Sequence, residues 1–251
     1  MIEKPILFNT EMVKAILDGR KTQTRRVIKN ICGNYDEIRA NPCYHGAWNP
    51  IILGRVLSGF KCPYGNAGDK LWVRETWKVQ SFSPDYFAIC YKADGSHKEL
   101  EDVPKDFSYL QDKFDDWQEN LAFQSEKELE KMKFLEDENS EYRWVWKGES
   151  PLRWRPSIYL PRWASRINLR ITDVRIERLQ RLTYENAIAE GILHRTGEIL
   201  GIDWYAGYIG AEWRTDPIIA FRDLWDSING KRGYGWNKNP WVWVVEFEAV
   251  E

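Results

Sequence analysis

Negative charge in this chain is gathered into one block, and that block constrains the fold more than any other feature. Residues 94–141 hold 16 Asp/Glu against 6 Lys/Arg. The chain carries 38 and 36 in all, so the remainder holds 22 Asp/Glu against 30 Lys/Arg. The pattern predicts a basic body, residues 1–93 and 142–251, interrupted by an acidic insertion, residues 94–141. Within the insertion Phe107, Leu110, Phe114, Trp117 and Leu121 recur at spacings of three and four, which predicts an amphipathic helix. Ser125 and Glu128 form a capping-box pattern that predicts a second helix carrying Leu129, Met132 and Leu135.

The body reads as short elements. Residues 5–8 are a short apolar strand, and Thr10 reads as the N-cap of a helix over residues 11–17 with Met12, Val13, Ile16 and Leu17 as its apolar face. Gly19 supplies the stop, and residues 20–26 read as a polar, basic turn. Residues 30–67, rich in Asn, Gly, Pro and Cys, read as a looser region. Gly68 and Asp69 precede a strand over 71–73, and another strand covers 86–92 with a turn at Asp94 and Gly95. Residues 151–166 read as an extended loop. Ile167, Leu169 and Ile171 alternate as a strand whose phase shifts by Val174, which predicts a bulge near Asp173. Thr183 caps a short helix stopped by Gly191, Asp216 and Pro217 open a longer one ended by Asn229 and Gly230, and residues 241–247 form a strand. Short strands mixed with short helices predict an α+β fold built on a small twisted barrel.

Several classes are set aside. No stretch approaches the roughly 20 apolar residues of a membrane span, and the start of the chain lacks the pattern of a signal peptide. Cys32, Cys43, Cys62 and Cys90 show no CxxC spacing and read as reduced thiols, although Cys32, Cys43, His45 and Cys62 could form an irregular metal set. The expectation is a cytoplasmic protein without a membrane partner. Fourteen tryptophans exceed what packing alone asks for, and flat-face stacking of planar ligands is the other use of the indole.

Three groups of residues could carry chemistry. Lys21 and Thr24 sit beside Arg25 and Arg26, and clustered cations lower a lysine's pKa until its amine can serve as a base toward a hydroxyl. The same residues could equally be a solvated turn that binds phosphate. Glu190 lies in the last turn of its helix, where the negative end of the dipole disfavours a carboxylate and makes it a better proton acceptor. Trp72, Arg74, Glu75 and Trp77 place aromatic planes beside a charged pair, which suits a nucleobase or a structural ion pair.

The run from Ile16 to Arg26 resembles the signature of the ASCH superfamily, whose fold is PUA-like. Gly19, Lys21 and Arg26 match the family pattern, while Thr24 stands where most members carry an acid. In this respect the chain is similar to the N4-acetylcytidine amidohydrolases of that superfamily, and the resemblance assigns the catalytic roles to Lys21, Thr24 and Glu190, the last following Leu182 and Thr183. The segments 68–76, 154–158, 161–166 and 239–243 resemble a phage and prophage family of ASCH-like proteins often labelled morphogenetic.

The resemblance implies an amidohydrolase acting on an N4-acylated cytosine nucleoside or related modified base, with Arg26, Trp72, Arg74, Glu75, Trp77, Arg155, Arg162 and Trp163 at the substrate. It implies no cofactor and no metal. A different class is an RNA-binding module, possessing ribonuclease activity or not, in which Arg20, Lys21, Arg25 and Arg26 together with Arg153, Arg155, Arg162 and Arg166 meet phosphates while Trp154 and Trp163 stack bases. A third is a phage accessory protein that holds a nucleotide or a host protein without turnover, the acidic insertion serving as the partner surface.

Overall fold

The first helix begins one residue earlier than its sequence suggests, because Asn9 takes the capping role. Its side chain accepts a hydrogen bond from the Met12 backbone N–H at 2.8 Å, which satisfies one of the free donors of the first turn. In this computed structural model the described residues are 1–29, 37–40, 47–52, 55–56, 59–83, 86–100, 133–136, 142–145, 154–197 and 201–250. They form a mixed α+β fold with several sheets and few helices. The chain divides into two units, residues 1–74 with 165–251, and residues 75–164.

The first unit opens with β1 (Glu3–Leu7), α1 (Thr10–Leu17) and β2 (Gln23–Val27). Val13, Ala15 and Ile16 are the buried face of α1, whereas Leu17, expected inside, is exposed. Four short strands follow, β3 (Glu37–Ala40), β4 (Ala47–Ile52), β5 (Arg55–Val56) and β6 (Phe60–Lys61), in a small sheet where a loose region was expected. Trp48 of this sheet meets Trp243 edge-on at 6.0 Å. Next comes β7 (Lys70–Arg74).

The second unit holds β8 (Trp77–Ser83), β9 (Tyr86–Tyr91) and β10 (His97–Leu100) in one antiparallel sheet, and the pair β11 (Lys133–Glu136) and β12 (Tyr142–Val145). Leu135 therefore belongs to a strand, in register with Arg143, and not to the helix its spacing predicted. β-Pairing with the next strand along the chain has overridden a local helical period. The helix expected over 107–121 and the start of the second lie outside the described residues. Residues 157–159 and 162–164 form two short 3-10 turns within the stretch expected as loop.

The first unit resumes with β13 (Asn168–Arg178), α2 (Tyr184–Ala189), β14 (Leu193–Thr196), β15 (Asp203–Ala206), α3 (Pro217–Asn229) and β16 (Trp241–Val250). The register of β13 against β16 shifts between Ile171 and Asp173, the bulge that the sequence phase indicated. Asp216 caps α3 through a 2.8 Å bond from the Ile218 N–H, with Pro217 in the first turn where its missing donor is harmless. On one side of the sheet a core of Leu179, Leu182, Ile192, Phe221, Trp225, Val242 and Val244 packs α2 and α3.

The main sheet has the linear order β1-β7-β13-β16-β2, and among the described residues no sheet closes into a barrel. That corrects the barrel expectation, and the reason lies at the two edges. β1 carries Pro5, which an edge strand tolerates. The edges β1 and β2 are joined not by a backbone ladder but by a side chain, Arg26 Nη2 donating to the Leu7 carbonyl at 2.6 Å. Among the described residues no helix is long and apolar enough to cross a membrane.

Candidate functional site

Thr183 starts α2 by accepting from the Asn186 N–H at 3.3 Å, and Glu190 caps the other end of this six-residue helix. Gly191 follows with φ +93°, a backbone conformation that favours glycine. A Cβ at Gly191 would come within 2.8 Å of the Ala15 Cβ and 2.9 Å of the Lys21 Cβ, so the position also needs the missing side chain for space. This close approach sets α2 against the end of α1, and the backbones of Lys21 and Glu190 form a bridge.

The bridge brings two sequence-predicted residues together. Lys21 Nζ donates to Glu190 Oε2 at 2.9 Å and to the Glu190 carbonyl at 2.8 Å, so one ammonium answers both the carboxylate and a free helix-end carbonyl. Arg25 Nη1 holds the other carboxylate oxygen at 3.0 Å. The side chains of Lys21, Arg25 and Glu190 are 1%, 0% and 4% exposed, so the cluster is shielded from water. Burial pulls the Lys21 pKa below its ordinary value, with Arg26 and Arg25 adding to the effect and Glu190 opposing it.

From Arg25 the charges alternate outward. Arg25 Nη2 reaches Glu177 Oε2 at 3.2 Å, Arg175 Nε reaches Glu177 Oε1 at 2.6 Å, and Arg175 also bonds Asp173 and Glu246. Burial works against the charge on Arg175, yet its bonds to Glu177 and Glu246 hold its pKa above the usual arginine range. Gln23 Nε2 donates to the Asn186 carbonyl at 2.7 Å, on the same side. Sequence reasoning missed Glu177 and Gln23, and took Arg25 for a neighbouring or phosphate-binding cation and not for the partner of Glu190. The available signal was the alternation of Gln23, Arg25 and Val27, which marks one face of a strand.

That alternation corrects the expected turn over residues 20–26. Residues 23–27 are a strand paired with β16, Thr24 opposite Val245, so Thr24 and Arg26 point to the face opposite Arg25. Thr24 is buried, and no hydrogen bond joins its hydroxyl to Lys21 or Glu190. Arg26 lies 5.1 Å from the centre of the Phe8 ring, and Lys21 Nζ lies 5.8 Å from the same ring. Phe8 is thus a ring that Lys21 and Arg26 share. Burial lowers the Arg26 pKa, Tyr64 and Glu190 oppose this, and Arg232 reinforces it.

The other expected substrate residues form separate small groups. Arg74 stacks on Trp72 at 4.8 Å, and Trp72 is buried. In the second unit Glu75 and Trp77 are buried, and Arg155 stacks on Trp77 at 5.6 Å. Arg162 and Trp163 share a 3-10 turn there, the Trp163 carbonyl accepting from Lys98 Nζ at 2.6 Å. Burial, then Arg162, lowers the Lys98 pKa.

A cleft of ≈ 230 Å³ opens beside Glu190, lined by Asn9, Met12, Ala15, Leu224 and Ile228 among others. Lys21 and Thr24 are not in its lining, so Glu190 is the member of the cluster that faces it. Among the described residues no group of three His, Cys, Asp or Glu side chains is arranged to hold a metal ion. Cys62 and Cys90 are buried thiols, while Cys32, Cys43 and His45 lie outside the described residues. Comparison with known proteins adds no relative: no family model, curated protein or solved structure matches the chain.

Proposed function

We propose that this protein is an ASCH-type, PUA-like amidohydrolase that removes the acyl group from an N4-acylated cytosine nucleoside or a related modified base. The observation that carries the reading is the 2.9 Å contact between Lys21 and Glu190 in a buried cluster where the lysine pKa is lowered. Glu190 is held by Arg25, whose guanidinium keeps its charge, as well as by Lys21, so a proton on Lys21 is the one the cluster can lose. A neutral Lys21 amine takes the Thr24 hydroxyl proton as the Thr24 oxygen bonds the acyl carbon. The carbon–N4 bond then breaks, and the proton passes through Glu190 to the departing amino group. Water, activated by Lys21, cleaves the resulting ester and restores Thr24. Arg26 or a backbone N–H carries the oxyanion charge.

Incubation with N4-acetylcytidine, followed by chromatography of the products, tests this reading. The wild type releases cytidine, and Lys21→Ala and Thr24→Val each lower the rate by about 100-fold or more. No cytidine from the wild type, or an equal rate from Lys21→Ala, removes the proposal.

A further inference from the structure

Glu177 takes no part in the proposed reaction, yet it is held at both oxygens. Arg25 Nη2 lies 3.2 Å from its Oε2, and Arg175 Nε lies 2.6 Å from its Oε1. The strand register explains how one carboxylate reaches both. Val244 of β16 is paired with Arg25 of β2 on one side and with Arg175 of β13 on the other. Arg25 and Arg175 therefore flank the Val244 side chain on one face of the sheet, and Glu177, two residues along β13, points to that same face. Arg175 is fixed in turn by Asp173 and Glu246, and its Nη2 donates to Asn186 Oδ1 of α2 at 3.4 Å.

Arg25 is pulled two ways. Its Nη1 gives Glu190 one bond at 3.0 Å, its Nη2 goes to Glu177, and its Nε is buried with no partner. A guanidinium facing a single carboxylate prefers two parallel bonds to it, and here neither carboxylate is held in that fork. Glu190 therefore keeps Oε2 for Lys21, at 2.9 Å.

We infer that Glu177 is a positioning residue for the Lys21–Glu190 pair: by drawing Nη2 of Arg25 away from Glu190, it leaves one oxygen of that carboxylate to Lys21. Without Glu177, Arg25 closes on both oxygens of Glu190. Lys21 then keeps only the Glu190 carbonyl, and a buried ammonium left with a neutral partner beside cations gives up its proton more readily. The charged groups acting on Lys21 are Glu190, Arg25 and Arg26, while Glu11, which lines the cleft with Glu190, is taken up by Lys14 at 3.2 Å. That Glu177 thereby sets the pH at which the enzyme gains its base rests on the hydrolase reading; the arrangement of the charges does not.

Nuclear magnetic resonance of the full chain, isotope-labelled at lysine Cε, follows the titration of Lys21, whose signal is the one lost in Lys21→Met. In Glu177→Gln, which keeps an acceptor for Arg25 but not the charge, the ratio of neutral to charged Lys21 at a given pH rises about 3-fold. In Glu177→Met, which keeps neither, it rises roughly 10-fold. Glu248→Gln, on the exposed pair of the same sheet, leaves the titration where it is. With N4-acetylcytidine, the pH of half-maximal kcat falls in the order wild type, Glu177→Gln, Glu177→Met. KM changes by less than about 2-fold, because Glu177 does not touch substrate. A purely structural role lowers the melting temperature and moves neither the Lys21 titration nor the pH profile. The inference is overturned if either variant leaves the neutral-to-charged ratio unchanged or lowers it. A wild type that releases no cytidine removes the hydrolase reading, and the Lys21 titration still decides the role of Glu177.

Discussion

Two ion pairs of the first unit look alike by distance and differ in everything else. Glu248 and Arg170 face each other across β16 and β13 at 2.5 Å, with side chains 48% and 52% exposed. Glu190 and Lys21 meet at 2.9 Å with 4% and 1% exposed. The shorter contact is the weaker support, because water and salt screen it and both long side chains lose freedom to make it. The buried contact gains strength from the low dielectric, yet each of its charges has been stripped of water. The lesson is that the buried cluster stands only as a whole.

The largest effect follows from breaking the cluster at its centre. Glu190→Ala leaves Lys21 and Arg25 buried without their shared carboxylate, and a loss of about 3–5 kcal/mol is expected in urea unfolding. A loss no greater than that from a surface substitution would mean that water reaches the cluster. A smaller, pH-dependent effect distinguishes the lysine. Its folded-state pKa lies below the ordinary value of 10.5, so the unfolded chain binds more protons and stability rises with pH between the lowered pKa and 10.5. Lys21→Met removes that rise, which unfolding midpoints measured at several pH values in this window will register. The smallest effect belongs to the surface. A double-mutant cycle on Arg170 and Glu248 should give about 0.2–1 kcal/mol at low salt and less at high salt.

Local chemistry was legible where it needed only neighbours. Thr183 and Gly191 framed α2, Asp216 and Pro217 opened α3, and the phase change after Ile171 gave the bulge. Asn9 and Thr10 are both good caps, and only the geometry of the entering chain chose between them. β2 was not legible, because Gln-Thr-Arg-Arg-Val has the composition of a solvated turn. The buried Arg25 charge is answered by Glu190 and Glu177, more than 150 positions away. The hairpin of β14 and β15 escaped notice for a related reason: its exposed face is polar and its pairing partner lends the order. Of the site, the meeting of Lys21 with Glu190 was foreseen through resemblance, whereas Arg25 was hidden in what read as a basic turn.

The pairing of residues 23–27 with residues 242–246 has a consequence for how the protein is made. On the ribosome the early strand emerges long before its partner, and neither ladder nor carboxylate is there to receive it. A hydrophobic edge would be a hazard during that wait. A strand carrying two arginines and a glutamine stays hydrated and repels its copies until synthesis delivers the other half. The same charges that are costly to bury at the end protect the nascent chain at the start.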